Sequence, residues 1–122
     1  MTADDLETYL RGLGLTVEVI TGDDQARYTV VRQVALPAGP LRGRVCDIAI
    51  ARVESVPYVP PAAIHTNPPL VPMSSGAPLG TQASGMGPGW QYWSRRFDRP
   101  PTPQGLWTHV LSVLCDDDLP AA

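Results

Sequence analysis

The sequence contains no lysine, few aromatic residues, no excess of positive charge and no long apolar run, and the last two absences each exclude a class of partner. All 9 basic residues are arginines, and against 12 acidic residues they leave a formal charge of −3 at pH 7. A weakly acidic chain is a poor match for non-specific binding to nucleic acid or other polyanions. The apolar runs fall far short of the roughly 18 residues that a membrane-spanning helix needs. We therefore expect neither nucleic acid nor a membrane as a partner.

Cysteine is scarce as well. The two cysteines, Cys46 and Cys115, show no metal-ligand spacing, so we predict no metal site and no cofactor. The acidic start, Met-Thr-Ala-Asp-Asp, argues against a secretory or transit peptide, and a reduced, cytoplasmic protein is the expectation that follows. With 122 residues, 43% of them hydrophobic, the chain is long enough for one small domain with an ordinary core. We expect a single domain over 1–122.

Proline is abundant instead, and its distribution divides the chain. Of the 14 prolines, eleven lie between Pro57 and Pro103. Neither a helix interior nor a central strand tolerates that density. We therefore predict a long proline-rich flap and loop over 57–101. Within it, the Ser-, Gly- and Pro-rich stretch 74–89 is expected to be a mobile loop.

Regular structure is predicted on either side of that segment. Leucines at helical spacing predict a helix over 3–12, with Thr2 as its N-cap. Runs of β-branched residues separated by turns predict an antiparallel β-meander over 15–56. Residues 102–116 predict a C-terminal helix that Thr102 caps. Consecutive strands with helices segregated at the ends are typical of the α+β class.

Three parts of the chain resemble a known family. The run from Leu36 to Met73 leads from a Gly-rich turn through a strand to Pro60-Pro61, and it resembles the centre of ubiquitin-conjugating (E2) domains. The stretch WQYWSR, Trp90 to Arg95, and the helix after it resemble the prokaryotic E2-like family called family E. The resemblance implies an E2-like fold with a terminal helix on each side of a meander and a flap. As partners it implies an E1-like adenylating enzyme, a ubiquitin-like modifier and a deconjugating peptidase.

The sequence departs from that family pattern at the catalytic position. An ordinary E2 carries its catalytic cysteine shortly after a His-Pro-Asn motif. Here Val71 and Met73 flank Pro72 where His and Asn would stand, and no cysteine lies between Met73 and Trp90. In such domains the cysteine carries the thioester and the asparagine supports the oxyanion. The sequence therefore favours the fold without the standard thioester relay, and it leaves open whether the protein is an enzyme.

Four residues are weak candidates for a replacement nucleophile or base. The settings of Cys46, on an apolar strand face, and Cys115, at a helix end, are more typical of structural thiols. His65 titrates near neutrality and could act as a base, although a half-buried or loop histidine is the common alternative. Ser84 lies in the loop that would display a catalytic residue. It could carry an acyl group only with a base in hydrogen-bond reach, and a linker serine is the common alternative.

An aromatic and basic cluster, formed by Trp90, Trp93, Arg95 and Arg96, is the candidate partner-binding surface. Tryptophan and arginine are enriched at binding hot spots. The alternative is a tryptophan that fills the core beside solvated arginines. We expect one tryptophan buried against the sheet or the last helix, and the other exposed beside Arg95 or Arg96.

Three functions stay open from the sequence. The first is a non-catalytic or non-canonical E2-like component of a bacterial ubiquitin-like modification system, which binds the E1-like enzyme, the modifier or both. The second is an active E2-type transferase that uses a serine or cysteine outside the usual position. The third is an unrelated small α+β protein-binding adaptor.

Overall fold

A computed structural model describes residues 1–53, 58, 60–76, 79–96 and 102–120. It confirms the predicted α+β class, with one helix near each end of the chain and a sheet between them. The elements, in chain order, are α1 (Ala3–Gly12), β1 (Thr16–Thr21), β2 (Arg27–Ala35), β3 (Val45–Ala51), β4 (Ala63–Asn67), β5 (Thr81–Ala83), β6 (Gln91–Ser94) and α2 (Pro103–Leu114).

The six strands form one antiparallel sheet in the order β1-β2-β3-β4-β6-β5. The chain runs as a meander as far as β4, and then β5 pairs with the outer side of β6. The prediction that 57–101 holds only flap and loop is wrong, because β4, β5 and β6 lie within it. Each of these strands occupies an interval between prolines, where every backbone N–H is available for pairing. Pro57, at the start of the predicted flap, lies outside the described residues.

Both helices begin at the residues that the sequence indicates. In α1, the N–H of Asp5 donates to Thr2 Oγ1 (3.1 Å) while the Thr2 N–H donates to the Asp5 carboxylate (2.7 Å), which is a capping box. In α2, the Gly105 N–H donates to Thr102 Oγ1 at 3.0 Å, and Pro103 stands at the first helical position. These caps satisfy N–H groups that have no partner inside the helix.

The larger core lies between the helices and one face of the sheet, which we call the helix face. Side chains alternate along each strand, so residues two apart on a strand share this face. The cluster contains buried residues of α1, α2 and five strands, among them Leu6, Leu10, Val31, Ile48, Ile64, Trp93, Leu106, Val110 and Leu114. Burial of this apolar surface is the main stabilising contribution to the fold.

The opposite face of the sheet, which we call the reverse face, carries a second and smaller core. Tyr28, Val30 and Ala49 alternate with the helix-face residues of their strands, and Met86 and Trp90 cover them. Met86 and Trp90 belong to the loop between β5 and β6, residues 84–90, which we call the covering loop. The loop therefore packs on a sheet face that would otherwise meet solvent.

Candidate functional site

Backbone hydrogen bonds hold the covering loop against the reverse face. The Ser84 N–H donates to the Trp90 carbonyl at 3.1 Å, which closes the base of the loop. At the far end, the Asp23 N–H donates to the Met86 carbonyl at 3.0 Å and ties the loop to the turn between β1 and β2. A Cβ on Gly22 would lie 3.1 Å from the Met86 Cα, so a glycine at this position permits the close approach. The expectation of a mobile loop over 74–89 is therefore wrong, because this stretch contains β5 and most of the covering loop, which packs on the sheet.

At the base of the covering loop, the structure brings together two of the four candidate residues, His65 and Ser84. Ser84 Oγ lies 2.9 Å from His65 Nδ1. His65 stands in the middle of β4, where its neighbours Ile64 and Thr66 face the helices and its own ring faces the reverse side. His65 is 5% exposed and Ser84 9%. The interpretation of His65 as a loop or half-buried residue is therefore wrong. Ser84 lies in a loop as expected, with a buried side chain, and its role stays a prediction.

Two tyrosines enclose the imidazole ring. The ring centroid of Tyr28 lies 5.1 Å from that of His65, and the centroid of Tyr92 lies 5.5 Å away, both in edge-to-face arrangements. This apolar enclosure disfavours the charged imidazolium. Burial accordingly lowers the pKa of His65 to about 4, although the nearby Asp24 carboxylate acts in the opposite direction. The imidazole is therefore neutral at pH 7 and offers one ring nitrogen as a proton acceptor.

An acid lies behind this pair. The Tyr28 hydroxyl donates to Asp24 Oδ2 at 2.5 Å, and the Ala26 N–H donates to Asp24 Oδ1 at 3.1 Å. Burial raises the pKa of Tyr28, and its hydrogen bond to the Asp24 carboxylate raises it further, so the phenol stays protonated. Sequence reasoning missed Tyr28 and Asp24, because neither the turn nor the strand that carries them shows that the covering loop folds back over them.

The two cysteines do not join this site. Cys46 faces the helices from β3, is 2% exposed, and its pKa is raised to about 12, chiefly by burial. Cys115 is half-buried at the C-cap of α2. For Cys46 this burial disfavours the thiolate, which is the reactive form of a cysteine. The structural role of Cys115 stays an interpretation. Within the described ranges, no three His, Cys, Asp or Glu side chains are grouped so that they could hold a metal ion.

Neither tryptophan of the predicted partner surface is exposed, which corrects the expectation of one buried and one exposed ring. Trp93 is 0% exposed on the helix face, and Trp90, at the end of the covering loop, is 9% exposed on the reverse face. The Arg95 guanidinium lies 5.4 Å above the Trp93 ring and donates to the Leu79 carbonyl at 2.7 Å. Arg96 is exposed. Of the four residues in this cluster, Arg96 is the exposed one, and Arg95 lies half-buried over Trp93.

Gln91 is a further residue whose role the sequence did not indicate. Its side chain is fully buried, with Oε1 accepting the Leu70 N–H at 2.8 Å and Nε2 donating to the Val71 carbonyl at 2.8 Å. The side-chain amide thus replaces a backbone partner for the segment that follows β4. A polar residue on the helix-face side of a buried strand was the available signal, because a buried amide has to be hydrogen-bonded.

We predict that Gln91→Met lowers the free energy of unfolding by about 2–4 kcal/mol, because it leaves two buried backbone groups without partners. Urea denaturation measures this change. Gln82→Met is the matched control, since Gln82 is exposed on the neighbouring strand β5 and its replacement should change stability by less than about 0.5 kcal/mol. Equal effects of the two substitutions would contradict the anchoring role of Gln91.

A comparison with protein families identifies a match for nearly the whole chain. The family described as Prokaryotic E2 family E matches residues 2–116, which is nearly the whole chain. No curated protein and no solved structure matches the sequence. In the described part of the chain, no helix combines the length and the apolar character needed to cross a membrane.

Proposed function

The chain belongs to prokaryotic E2 family E, and on that premise we propose that it acts in a bacterial ubiquitin-like modification system by binding its protein partners, without a cysteine thioester. Membership of an E2-like family suggests the conjugation system itself. It also removes the alternative of an unrelated adaptor. The partners we propose are an E1-like adenylating enzyme and a ubiquitin-like modifier, with a deconjugating peptidase as a third member of the system.

The positions of the two cysteines support the proposal that no cysteine thioester forms. Thioester transfer needs an accessible thiol that reaches the thiolate form. Cys46 is enclosed in the main core with its pKa raised, and no cysteine lies between Met73 and Trp90, where an ordinary E2 would carry its nucleophile. Cys115 lies beyond that stretch, at the C-cap of α2. This helix end packs closely on the turn after β2, because the Cys115 carbonyl oxygen would lie 2.5 Å from a Cβ on Gly39. A binding role needs neither thiol.

For the binding surface we propose the end of β6, with Arg95 and Arg96. Arg95 is held by its hydrogen bond to Leu79 and by its position above Trp93, so its guanidinium is fixed before a partner arrives. Pre-ordered side chains lose less conformational entropy on binding than free ones do. The two positive charges suit an acidic surface on the partner.

Binding of the E1-like and ubiquitin-like proteins of the same organism, measured by isothermal titration calorimetry, tests this proposal. We expect Arg96→Ala to raise Kd by about fivefold or more for one of them. Arg42→Ala is the matched control, because it removes the same charge from an exposed residue elsewhere on the chain. If neither protein binds, the binding role is wrong. If the two substitutions act equally, the surface lies elsewhere.

Removal of the thiols provides a second test. Cys46→Ala and Cys115→Ala, singly or together, should leave partner binding and any modifier transfer within a few-fold of the unmodified chain. A stability loss of about 1 kcal/mol is expected for Cys46→Ala, because it removes a small buried side chain. If either substitution abolishes transfer in a protein that is still folded by circular dichroism, the chain uses a cysteine thioester and our proposal is wrong.

The contact between Ser84 and His65 favours one nucleophile for the second candidate function, an active transferase with a non-standard nucleophile. Of the candidate nucleophiles, Ser84 has a histidine ring nitrogen at hydrogen-bond distance. A nucleophilic serine requires such a base. If the chain forms a covalent intermediate, Ser84 is the residue on which the structure favours it.

A further inference from the structure

The serine–histidine pair beneath the covering loop has no part in a purely binding role. We propose that Ser84 accepts the acyl group of a thioester-activated carboxyl and holds it as an oxyester, with His65 Nδ1 as the general base. This inference rests on the proposed conjugation system for the biological origin of the thioester. The chemistry at Ser84 is independent of which partner delivers it.

The hydrogen bonds at Ser84 set the direction of the proton. Ser84 Oγ accepts the Met86 N–H at 3.0 Å, so one of its lone pairs is occupied. Among the described hydrogen bonds, the acceptor within reach of the Ser84 hydroxyl proton is His65 Nδ1 at 2.9 Å. A buried hydroxyl without an acceptor would be costly, so the hydroxyl donates to Nδ1 and the ring carries its proton on Nε2. In this arrangement the base already points at the proton that it must remove.

The imidazolium that forms when His65 takes up this proton is the difficult species in an apolar site. Asp24 supplies the compensating negative charge, since its carboxylate favours the protonated ring. Tyr28 stands between them, with its hydroxyl on Asp24 and its ring edge-to-face with His65. The Asp24 carboxylate therefore acts on the ring by charge, because the described hydrogen bonds join it to Tyr28 and not to His65, unlike the acid of a serine–histidine–aspartate triad.

The covering loop supplies a hydrogen-bond donor next to Ser84. None of the hydrogen bonds between described residues uses the N–H of Gly85, which directly follows Ser84. A backbone N–H beside the nucleophile can stabilise the oxyanion that forms at the carbonyl. Gly85 and Gly87 let the loop pack closely on the turn between β1 and β2, since a Cβ on Gly85 would lie 3.2 Å from Asp24 Oδ2 and one on Gly87 2.9 Å from Asp23 Oδ2. Because Ser84 is only 9% exposed, the acyl groups that fit have little bulk next to the carbonyl, as glycine does.

The step balances without any further reactant. Ser84 Oγ forms a bond to the thioester carbonyl carbon, and the hydroxyl proton moves to His65 Nδ1. The carbon–sulfur bond then breaks, and the proton on Nδ1 passes to the leaving thiolate. The products are the Ser84 oxyester and a free thiol, and nothing is oxidised or reduced.

The benzyl thioester of acetyl-glycylglycine is the probe, used in a Cys46→Ala/Cys115→Ala background so that thiol exchange cannot contribute. Intact mass spectrometry with peptide mapping follows the adduct. We expect one acyl group on Ser84, none there in Ser84→Ala, and formation at least about 100-fold slower in His65→Gln. Ser75→Ala is the matched control, because Ser75 is an exposed serine in the preceding segment and its loss should change nothing.

The absence of an adduct, or an adduct that persists unchanged in Ser84→Ala, would overturn the proposal. If His65→Gln does not fold, Ser84→Cys is used in its place. The proposal then predicts a hydroxylamine-labile thioester at position 84, and an unreactive thiol at that position contradicts the proposal. Partner binding that survives without any Ser84 adduct leaves the docking role standing and rejects the acyl role. An adduct on Ser84 without partner binding supports the acyl role and rejects the docking role.

Discussion

Trp93→Ala is expected to lower the free energy of unfolding by about 3–5 kcal/mol. The Trp93 ring is fully buried in the core between the helices and the sheet, and its Nε1 donates to Thr66 Oγ1 at 3.0 Å. Alanine would leave a cavity next to Ile64, the residue paired with Trp93 across the two strands, and the Thr66 hydroxyl would lose its partner. Denaturation by guanidinium chloride, followed by circular dichroism, measures the change.

The stability of Trp90→Ala is the comparison for Trp93→Ala, because the two tryptophans belong to different cores. Trp90 belongs to the smaller reverse-face core and is itself the last residue of the covering loop, so the loop can settle into the space that is left. The cost of a cavity depends on how well its surroundings can collapse. We therefore expect Trp93→Ala to be the more destabilising by at least about 1 kcal/mol. An equal or larger effect of Trp90→Ala would show that the reverse face holds the fold together as strongly as the helix face.

Elements with local signals were predictable from the sequence. Thr2 and Asp5 sit at the spacing of a capping box, and β2 and β3 show alternating apolar residues bounded by turn residues, so the chain itself carries the information. β4, β5 and β6 were missed for the opposite reason. These strands are short, and the prolines around them dominate the composition of the whole segment. The prolines nevertheless leave the intervals between them free to pair.

The contact between His65 and Ser84 could not be predicted, because it depends on strand order. The two residues are 19 positions apart. They meet because β6 lies between β4 and β5, and because the loop from β5 to β6 folds back over the face on which His65 stands. No local pattern encodes that choice of neighbour. Strand pairing follows from burial of the whole sheet, which a single segment does not display.

The error about the tryptophans has a simple physical origin. Positions three apart on or beside a strand face opposite sides of the sheet, so the expectation that the two rings diverge agrees with the structure. What the sequence did not indicate is that both sides are covered, one by the helices and the other by the covering loop. Both rings are therefore buried, and Arg96 is the exposed residue of the cluster.

Gly39→Ala is expected to destabilise the protein by about 3–5 kcal/mol, because backbone strain and a steric clash act together. Gly39 has a φ of +79°, in the region that favours glycine. A Cβ there would lie 2.5 Å from the carbonyl oxygen and 2.8 Å from the carbonyl carbon of Cys115. These are backbone atoms at the end of α2, so relief requires movement of the helix rather than of a side chain. Thermal and urea denaturation measure the loss.

Gly43→Ala separates the two causes. Gly43 lies in the same turn with a φ of +85°, but a Cβ there would meet nothing within 4 Å, so its substitution produces the strain without the clash. We expect a loss of about 1–2 kcal/mol for Gly43→Ala, and the excess for Gly39→Ala then measures the contact with Cys115. If the two alanine variants have the same stability, the turn and the C-terminal end of α2 do not pack as tightly as the structure indicates. If Gly39→Ala alone loses more, the turn after β2 is the point at which the last helix is positioned on the sheet.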